Sequence, residues 1–578
     1  MRTPPSILAP EAPPAAGITG RDGWVALAIF TATLTLRLTF LLRSPDAAWP
    51  HSVLYEGDAP VWARWAALIV TGQPFEDDLA FRTPGVAFPL AWLGFTAAPF
   101  TAAKVLWCVL SASTPALLFL TMARWFSRAT GAVAAALLSL GFGSFAIATS
   151  LNNEAPYALL LTMLAWGTLE WAHRPRAWLA AALGLAHGTA MLLRAEHLLL
   201  LCLMAAWMGG RWWRSTPRQG RGPVHLAAMG LMAVAACLPW SLRSHAAAVR
   251  FNTQAPAVPY ESARPRWTPE AVAALEALPA FTRAPNLAFI SHQALRSGLP
   301  AVDAADVQAF FEREWGYVPE PLPSWCLVSF KGPLDFALSN DPRSDGGFSR
   351  AALSDSHDRD PPFHLARPSH LRLVNHGWSA GWDAIRADPR RWMELEWEKL
   401  RRFGDGLALG LFPSDWPHAE RLVRRSIDVA TPRRGDATAW SVATLTTLLL
   451  GVVACARTPG GGLWLVVLGY RVVVILLFYG YARHAVSIAP ATAAITALGV
   501  AWLSRMTLAP WPRAVRAVPW VSAAAVAALL TACVWSCWNP PSLRARSAMI
   551  GDRLNAAPEW GPNAFEAVDA VALEPAPR

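Results

Sequence analysis

Residues 103–150 read AKVLWCVLSASTPALLFLTMARWFSRATGAVAAALLSLGFGSFAIATS, and this stretch decides the fold. Its two apolar runs, 103–123 and 130–150, each match the ~20 residues an α-helix needs to cross the hydrocarbon of a bilayer. Between them lies the short basic turn Arg124–Arg128, of the kind that stays on the cytoplasmic side. The same pattern repeats outward. Further apolar runs at 24–42, 155–172, 177–193, 196–210, 224–241, 437–456, 462–479, 484–504 and 515–538 bring the expected transmembrane helices to about eleven.

Composition agrees. Of 578 residues 54% are hydrophobic and 16% charged, an apolar content that a soluble chain of this length could not keep from water. The net charge of +10 is carried almost wholly by Arg in short connections, where it orients spans; it is no sign of nucleic-acid binding. Cys108, Cys202, Cys237, Cys455, Cys533 and Cys537 fall in apolar runs and Cys326 stands alone, so neither a disulfide framework nor a CxxC metal site is visible.

Residues 84–100, PGVAFPLAWLGFTAAPF, are apolar but short and broken by Pro84, Pro89 and Pro99. Such a segment reads as interfacial rather than spanning. With that choice and the N-terminus inside, the Arg-rich connections Arg124–Arg128, His173–Arg176, Arg211–Arg221, Arg457 and Arg505–Arg516 all face the cytoplasm.

The expected fold is therefore an all-α polytopic membrane bundle with interfacial helices in its first outer loop. An α-rich extracytoplasmic domain is inserted between spans 7 and 8. The segments are a disordered cytoplasmic tail (1–22), an N-terminal membrane module (23–241) with its outer loop (43–102), the outer domain (242–436), C-terminal membrane helices (437–538) and an outer tail (539–578). Within 242–436, amphipathic helices are expected at 303–315 and 388–402, and the Gly/Ser/Asp-rich stretch 339–360 reads as loop.

The first outer loop reads YEGDAPVWARWAALIVTGQPFEDDLAFRTPGVAFPL (55–90). Asp58 opens a segment in which Trp62, Trp65, Leu68 and Ile69 recur at helical spacing. An acid there caps a helix and complements its dipole; capping would also fix the carboxylate for chemistry. Glu56 is a close neighbour. Asp77-Asp78 lacks the spacing of a DxD motif and reads as a solvated charge pair. Arg194 with Glu196 can pair across a turn, and Glu154 can cap its helix. Arg37 lies inside the first span, where it either snorkels or faces the site. Arg82 and Arg243 flank the expected cavity or sit on its surface. Arg483 beside His484 lies at an outer membrane boundary, where it binds an anion or snorkels.

The order of an acid, an amphipathic helix, Arg-x-Pro-Gly and a second interfacial helix resembles the first outer loop of GT-C glycosyltransferases: family-39-like enzymes, aminoarabinose transferases and protein O-mannosyltransferases. Further segments resemble that superfamily in the same order. They are Asn152-Asn153-Glu154 at a second acidic position, LLRAEHLLLL (192–201) with its Arg-x-Glu turn, and LPWSLRSH (238–245), which has Ser244 where Asn is usual. DPRRWMELEWEKLRRFGD (388–405) and YARHAVSIAPATA (481–493), with His484 in a Tyr place, complete the series.

The resemblance implies an inverting hexosyl- or pentosyltransferase of a bacterial inner membrane, with its active site on the periplasmic face. Its donor would be a polyprenyl-phosphate-linked sugar, and its acceptor a protein, glycolipid or polysaccharide. By the same resemblance Asp58 and Glu154 are the catalytic acids and Glu56 and Glu196 support them. Arg483, His484, Arg194, Arg82 and Arg243 would hold the donor phosphate. No cofactor is required by the sequence; some members of the superfamily bind a divalent Mg or Mn ion, which here would fall to Asp58 with Glu154. The competing classes are a lipid or lipid-linked-sugar transporter or flippase, and a polysaccharide polymerase or ligase. Transporters usually show paired repeats and broken midplane helices, and neither is evident in this sequence.

Overall fold

A computed structural model describes residues 17–43, 59–72, 81–93, 100–141, 151–214, 222–254, 258–347, 349–354, 363–410, 439–480 and 482–508. Asp58, Glu56, Asp77, Asp78 and the expected span 515–538 lie outside the described residues.

The apolar runs fold as helices: α1 (Gly20–Arg43), α4 (Phe100–Trp125), α5 (Arg128–Leu140), α6 (Glu154–His173), α7 (Ala177–Leu193), α8 (His197–Arg214), α9 (Gly222–Thr253), α16 (Ala439–Arg457), α17 (Gly462–Leu477) and the pair α18 (Ala482–Ser487) and α19 (Ala489–Leu508). The first loop supplies α2 (Ala59–Val70) and the six-residue α3 (Ala87–Trp92). The region after α9 folds as α10 (Pro269–Glu276), α11 (Ala280–Arg296), α12 (Ala304–Phe310), α13 (Lys331–Asn340), α14 (Pro368–Ala387) and α15 (Pro389–Gly410). One short parallel pair, β1 (Arg266–Trp267) with β2 (Ala301–Val302), departs from the all-α expectation.

Side-chain partition is that of a membrane protein. Large apolar side chains point outward from the apolar helices: Leu231 is 69% exposed, Trp178 63% and Val224 57%. Meanwhile Arg37, Arg471, Lys104, Glu154, His187 and His197 are buried among helices. A soluble protein sorts these groups the other way. Two helices, Ala102–Trp125 and Gly222–Thr253, are long and apolar enough to cross a bilayer by themselves, and five shorter apolar helices accompany them among the described residues.

With little hydrophobic drive between helices in lipid, close approach does the packing. Gly184 and Gly188 of α7 show this: a Cβ on the first would lie 2.3 Å from the Met229 carbonyl oxygen of α9, and one on the second 2.6 Å from that of Ala233.

Two boundaries differ from the sequence reading. The N-terminal helix starts at Gly20, not after residue 22, because Asp22 is tied to the N–H and hydroxyl of Thr19 and accepts from Arg128. Helix α9 runs twelve residues past the expected end of its span at 241, to Thr253. Ser241, Ser244, Ala247 and Ala248 stay buried at helical spacing, so the helix carries straight from the apolar run into the polar region. Trp240 Nε1 donates to the Val328 carbonyl at 2.8 Å, fastening the two.

The bundle ends are sorted. On one face Arg128 pairs with Asp22 and Arg124 with Glu170, joining the short turns. On the opposite face lie the first loop and the region from 258 to 410, joined where Ser329 donates to the Phe81 carbonyl at 3.0 Å. Both polar regions expected outside thus share a face.

Candidate functional site

The site is built at that second face, around the turn between α7 and α8. Helix α7 ends at Leu193 and α8 begins at His197, so Arg194 to Glu196 form a tight turn. Arg194 is 6% exposed. Its Nε donates to Glu196 Oε1 at 2.8 Å, and its Nη1 reaches Asn153 Oδ1 at 3.3 Å and Glu154 Oε1 at 3.5 Å. Asn153 Nδ2 in turn donates to the Leu193 carbonyl at 2.9 Å, locking the start of α6 to the end of α7. The guanidinium also lies over the Tyr157 ring, 5.6 Å from its centroid.

The first loop docks on the same turn. Thr83 Oγ1 donates to the Leu193 carbonyl and the Gly85 N–H to that of Leu192, each at 2.8 Å. A Cβ at Gly85 would stand 2.6 Å from that Leu192 oxygen, which is why this position takes glycine. Trp62 of α2 donates to the Thr83 carbonyl at 2.7 Å, so α2, the Arg82–Gly85 segment and the Arg194 turn form one unit. The Arg-Thr-Pro-Gly sequence thus has a packing reason of its own.

Arg471 of α17 completes the cluster and was not singled out from the sequence. It is fully buried, and its Nη1 donates to Glu196 Oε1 at 3.0 Å. Its signal was a lone charge inside the apolar run 462–479, which at membrane depth suggests function by default. Below it runs a buried chain of polar groups: Tyr470 Oη to Tyr157 Oη at 3.3 Å, Tyr157 Oη to His197 Nδ1 at 2.8 Å, and His197 Nε2 to His187 Nδ1 at 2.8 Å.

The remaining sequence candidates fall as follows. Arg37 does not snorkel; buried, it donates to the Ser139 carbonyl at 2.7 Å and to Ser111, holding α1 against α4 and α5. Arg243 lies over the Trp240 ring at 4.9 Å, and that ring packs against Trp65 of α2. Arg82 is half-buried beside Thr83. His484 is buried and its Nδ1 donates to the Tyr479 carbonyl at 3.1 Å. The short helix α18 that carries residues 483 and 484 packs on α15 and on α6, the helix that Glu154 begins. The Arg483 side chain lies outside the described residues. Glu154 is engaged by Arg194, and among the described residues no group of three His, Cys, Asp or Glu could hold a metal ion. Asp58, the other residue expected to take such an ion, lies outside the described residues.

A buried clasp fixes the turn that leads to α18. Lys399 of α15 is fully buried. Its Nζ donates to Glu396 Oε1 at 2.6 Å, Asn340 Oδ1 at 3.1 Å and the Leu476 carbonyl at 3.1 Å. Ser339 and Asn340 donate to the Leu477 carbonyl, each at 3.2 Å. These bonds satisfy carbonyls at the C-terminus of α17 that have no helical partner.

No family model matches the chain, and no curated protein matches it. Among solved structures it is similar to the archaeal oligosaccharyltransferase AglB from Archaeoglobus fulgidus, in complex with an inhibitory peptide and a dolichol-phosphate. That alignment has 11% identity, covers 96% of this chain and 60% of that one, and has a TM-score of 0.42. The same enzyme tethered with an acceptor peptide aligns at 12% identity over 95% of this chain and 59% of that one, with a TM-score of 0.43. ArnT from Cupriavidus metallidurans bound to undecaprenyl phosphate aligns at 14% identity over 85% and 80% of the two chains, with a TM-score of 0.31. Both proteins are GT-C glycosyltransferases, the superfamily whose motifs this sequence resembles. The chain spans about 60% of the length of the archaeal enzyme.

Proposed function

We propose that the chain is an integral-membrane glycosyltransferase that moves a sugar from a polyprenyl-phosphate donor to an acceptor at the outer face of the membrane. The observation that carries this reading is the buried meeting of Glu154, Arg194 and Glu196 at the bundle end where the Arg82–Gly85 segment docks. Charges at that depth are costly and are retained for a task. A prenyl chain stays among lipid-facing helices while its phosphate meets guanidinium groups, which are always charged and bind phosphate oxygens bidentately.

In this reading Asp58, just before α2, is the base. It takes the proton of the acceptor's O–H or N–H as the acceptor atom bonds to the anomeric carbon. The bond from that carbon to the phosphate oxygen breaks with inversion, and its electron pair leaves on the polyprenyl phosphate. Arg194 and Arg483 stabilise the leaving charge, with His484, Arg82 and Arg243 around the pocket. Glu154 orients Arg194, and Glu56 and Glu196 support the arrangement. The region 242–436 contributes to acceptor choice. Replacing Asp58 by Ala or Asn should abolish transfer from the lipid-linked donor while expression and thermal stability stay at wild-type levels. Full transfer by both variants would refute the assignment.

One observation favours a second reading, a lipid or lipid-sugar transporter. The chain Tyr470, Tyr157, His197 and His187 runs deep into the bundle, and buried His chains serve as proton relays in transporters. Movement of a labelled polyprenyl phosphate sugar across vesicle membranes, driven by a proton gradient and without a transfer product, would select that reading.

A further inference from the structure

One carboxylate oxygen joins the two buried guanidinium groups of the site. Glu196 Oε1 accepts from Arg194 Nε at 2.8 Å and from Arg471 Nη1 at 3.0 Å, although Arg471 is 275 residues away in sequence. Arg471 is fully buried, yet its Nε and Nη2 meet no hydrogen-bond acceptor among the described residues. A guanidinium carries five N–H donors in a planar fork that suits a tetrahedral oxyanion better than a single carboxylate oxygen. Leaving such donors unmet in an apolar interior is unfavourable. Glu196 differs from its partners in exposure. Its side chain is 24% exposed, against 6% for Arg194 and none for Arg471. It also sits, with Arg194, in the turn between α7 and α8, whereas Arg471 and Glu154 lie within helices. Being the most exposed of the three, it is the one whose side chain has open space to swing into.

We infer that Glu196 is a displaceable counter-ion holding the place of a phosphate between Arg194 and Arg471, and that the phosphate of a polyprenyl lipid expels it and takes both guanidinium groups. Arg471 is then a further phosphate-binding residue beside Arg194 and Arg483. This rests on the lipid-donor reading above. Closed, the cluster of Arg194, Arg471, Glu154 and Glu196 is neutral by formal charge, which suits a membrane interior. Opened, it presents two positive groups to an anion whose oxygens can meet the Nε and Nη2 donors of Arg471. With the singly charged phosphodiester of a lipid-linked sugar in place, the cluster is neutral in the open state as well, and no proton needs to move.

The assay is equilibrium binding of undecaprenyl phosphate to the full-length protein in nanodiscs, read by tryptophan fluorescence, with thermal unfolding recorded for each variant. Removing the competing carboxylate in Glu196→Gln should tighten binding about fivefold or more, because a neutral amide holds two guanidinium groups less well than a charge does. Glu196→Asp, which keeps the charge but is too short to reach both arginines, should shift affinity the same way by less. Arg471→Gln should weaken binding about tenfold or more, and Glu196→Gln should no longer help in that background. Unchanged or weaker binding in both Glu196 variants overturns the inference while leaving the lipid-donor reading intact. Absence of any undecaprenyl phosphate binding by the wild type overturns that reading and the inference with it. Inorganic phosphate is the control for a free anion: equal affinity without the prenyl chain overturns the assignment to a lipid phosphate.

Discussion

Replacing Gly85 by Ala tests whether the first loop is truly seated on the Arg194 turn. An added Cβ would stand 2.6 Å from the Leu192 carbonyl oxygen, 2.8 Å from its carbon and 2.9 Å from Leu193 Cδ2. Two of these are backbone atoms at the end of α7, so the loop rather than the helix must give way. That same Leu192 oxygen accepts the Gly85 N–H at 2.8 Å. Backing off by roughly 0.7 Å, to ordinary contact, stretches the bond beyond useful range. The neighbouring Thr83 bond to the Leu193 carbonyl, at 2.8 Å, is strained with it. Two hydrogen bonds at about 1 kcal/mol each, with about 1–2 kcal/mol of crowding, give roughly 3–4 kcal/mol of local destabilisation. Amide exchange measures this locally. Exchange at residues 83–90 should quicken about 100-fold to 1000-fold, taking tenfold per ~1.4 kcal/mol. Gly230→Ala is the control, since a Cβ there meets nothing within 4 Å, and it should be neutral or mildly stabilising. Wild-type exchange at 83–90 in Gly85→Ala would refute the docked arrangement.

Three further outcomes follow from particular contacts. Lys399→Met leaves the buried Glu396 carboxylate without its cation and should cost about 3–5 kcal/mol; adding Glu396→Leu should recover most of it, and two additive losses in thermal unfolding would contradict the pairing. Gly188→Leu should separate α7 from α9, since even a Cβ meets the Ala236 Cβ at 2.5 Å; it should destabilise by several kcal/mol, and a wild-type melting profile would count against the close crossing. Burial, with help from the nearby Arg367 guanidinium, pushes the His364 imidazole below its ordinary 6.5. A group depressed by folding stabilises fully above its unfolded value and loses that contribution as pH falls below it, so protection factors around residues 363–374, corrected for the intrinsic exchange rate, should be lower at pH 5 than at pH 7. His364→Gln should flatten that difference, and an unaltered pH profile would contradict the account.

Much of the membrane architecture is legible because the bilayer imposes a length and the Arg-rich turns impose a side. The described parts of the expected spans are largely helical, and Arg124 and Arg128, at the two ends of one short turn, pair with Glu170 and Asp22. The helical continuation of α9 past 241 was not legible: hydropathy drops there, but small residues keep one face buried to Ala248, and a window of apolar character cannot see a face. The pairing of Arg194 with Glu196 was readable because both sit in one turn. Arg471 was not, because its partner is 275 residues away and its own neighbours Val472 to Leu477 are uniformly apolar. Arg37 looked equivalent in sequence. It differs only in what surrounds it, two carbonyls at the end of α5 and Ser111.

The most direct test of the central claim is to map where the lipid phosphate sits. A polyprenyl phosphate with a photoactivatable group beside the phosphate, cross-linked in native membranes and located by mass spectrometry, should label the first loop near residue 58, the 192–197 turn and the stretch around 471. Labelling confined to the opposite bundle end, around 124–128 or 457–462, would contradict it.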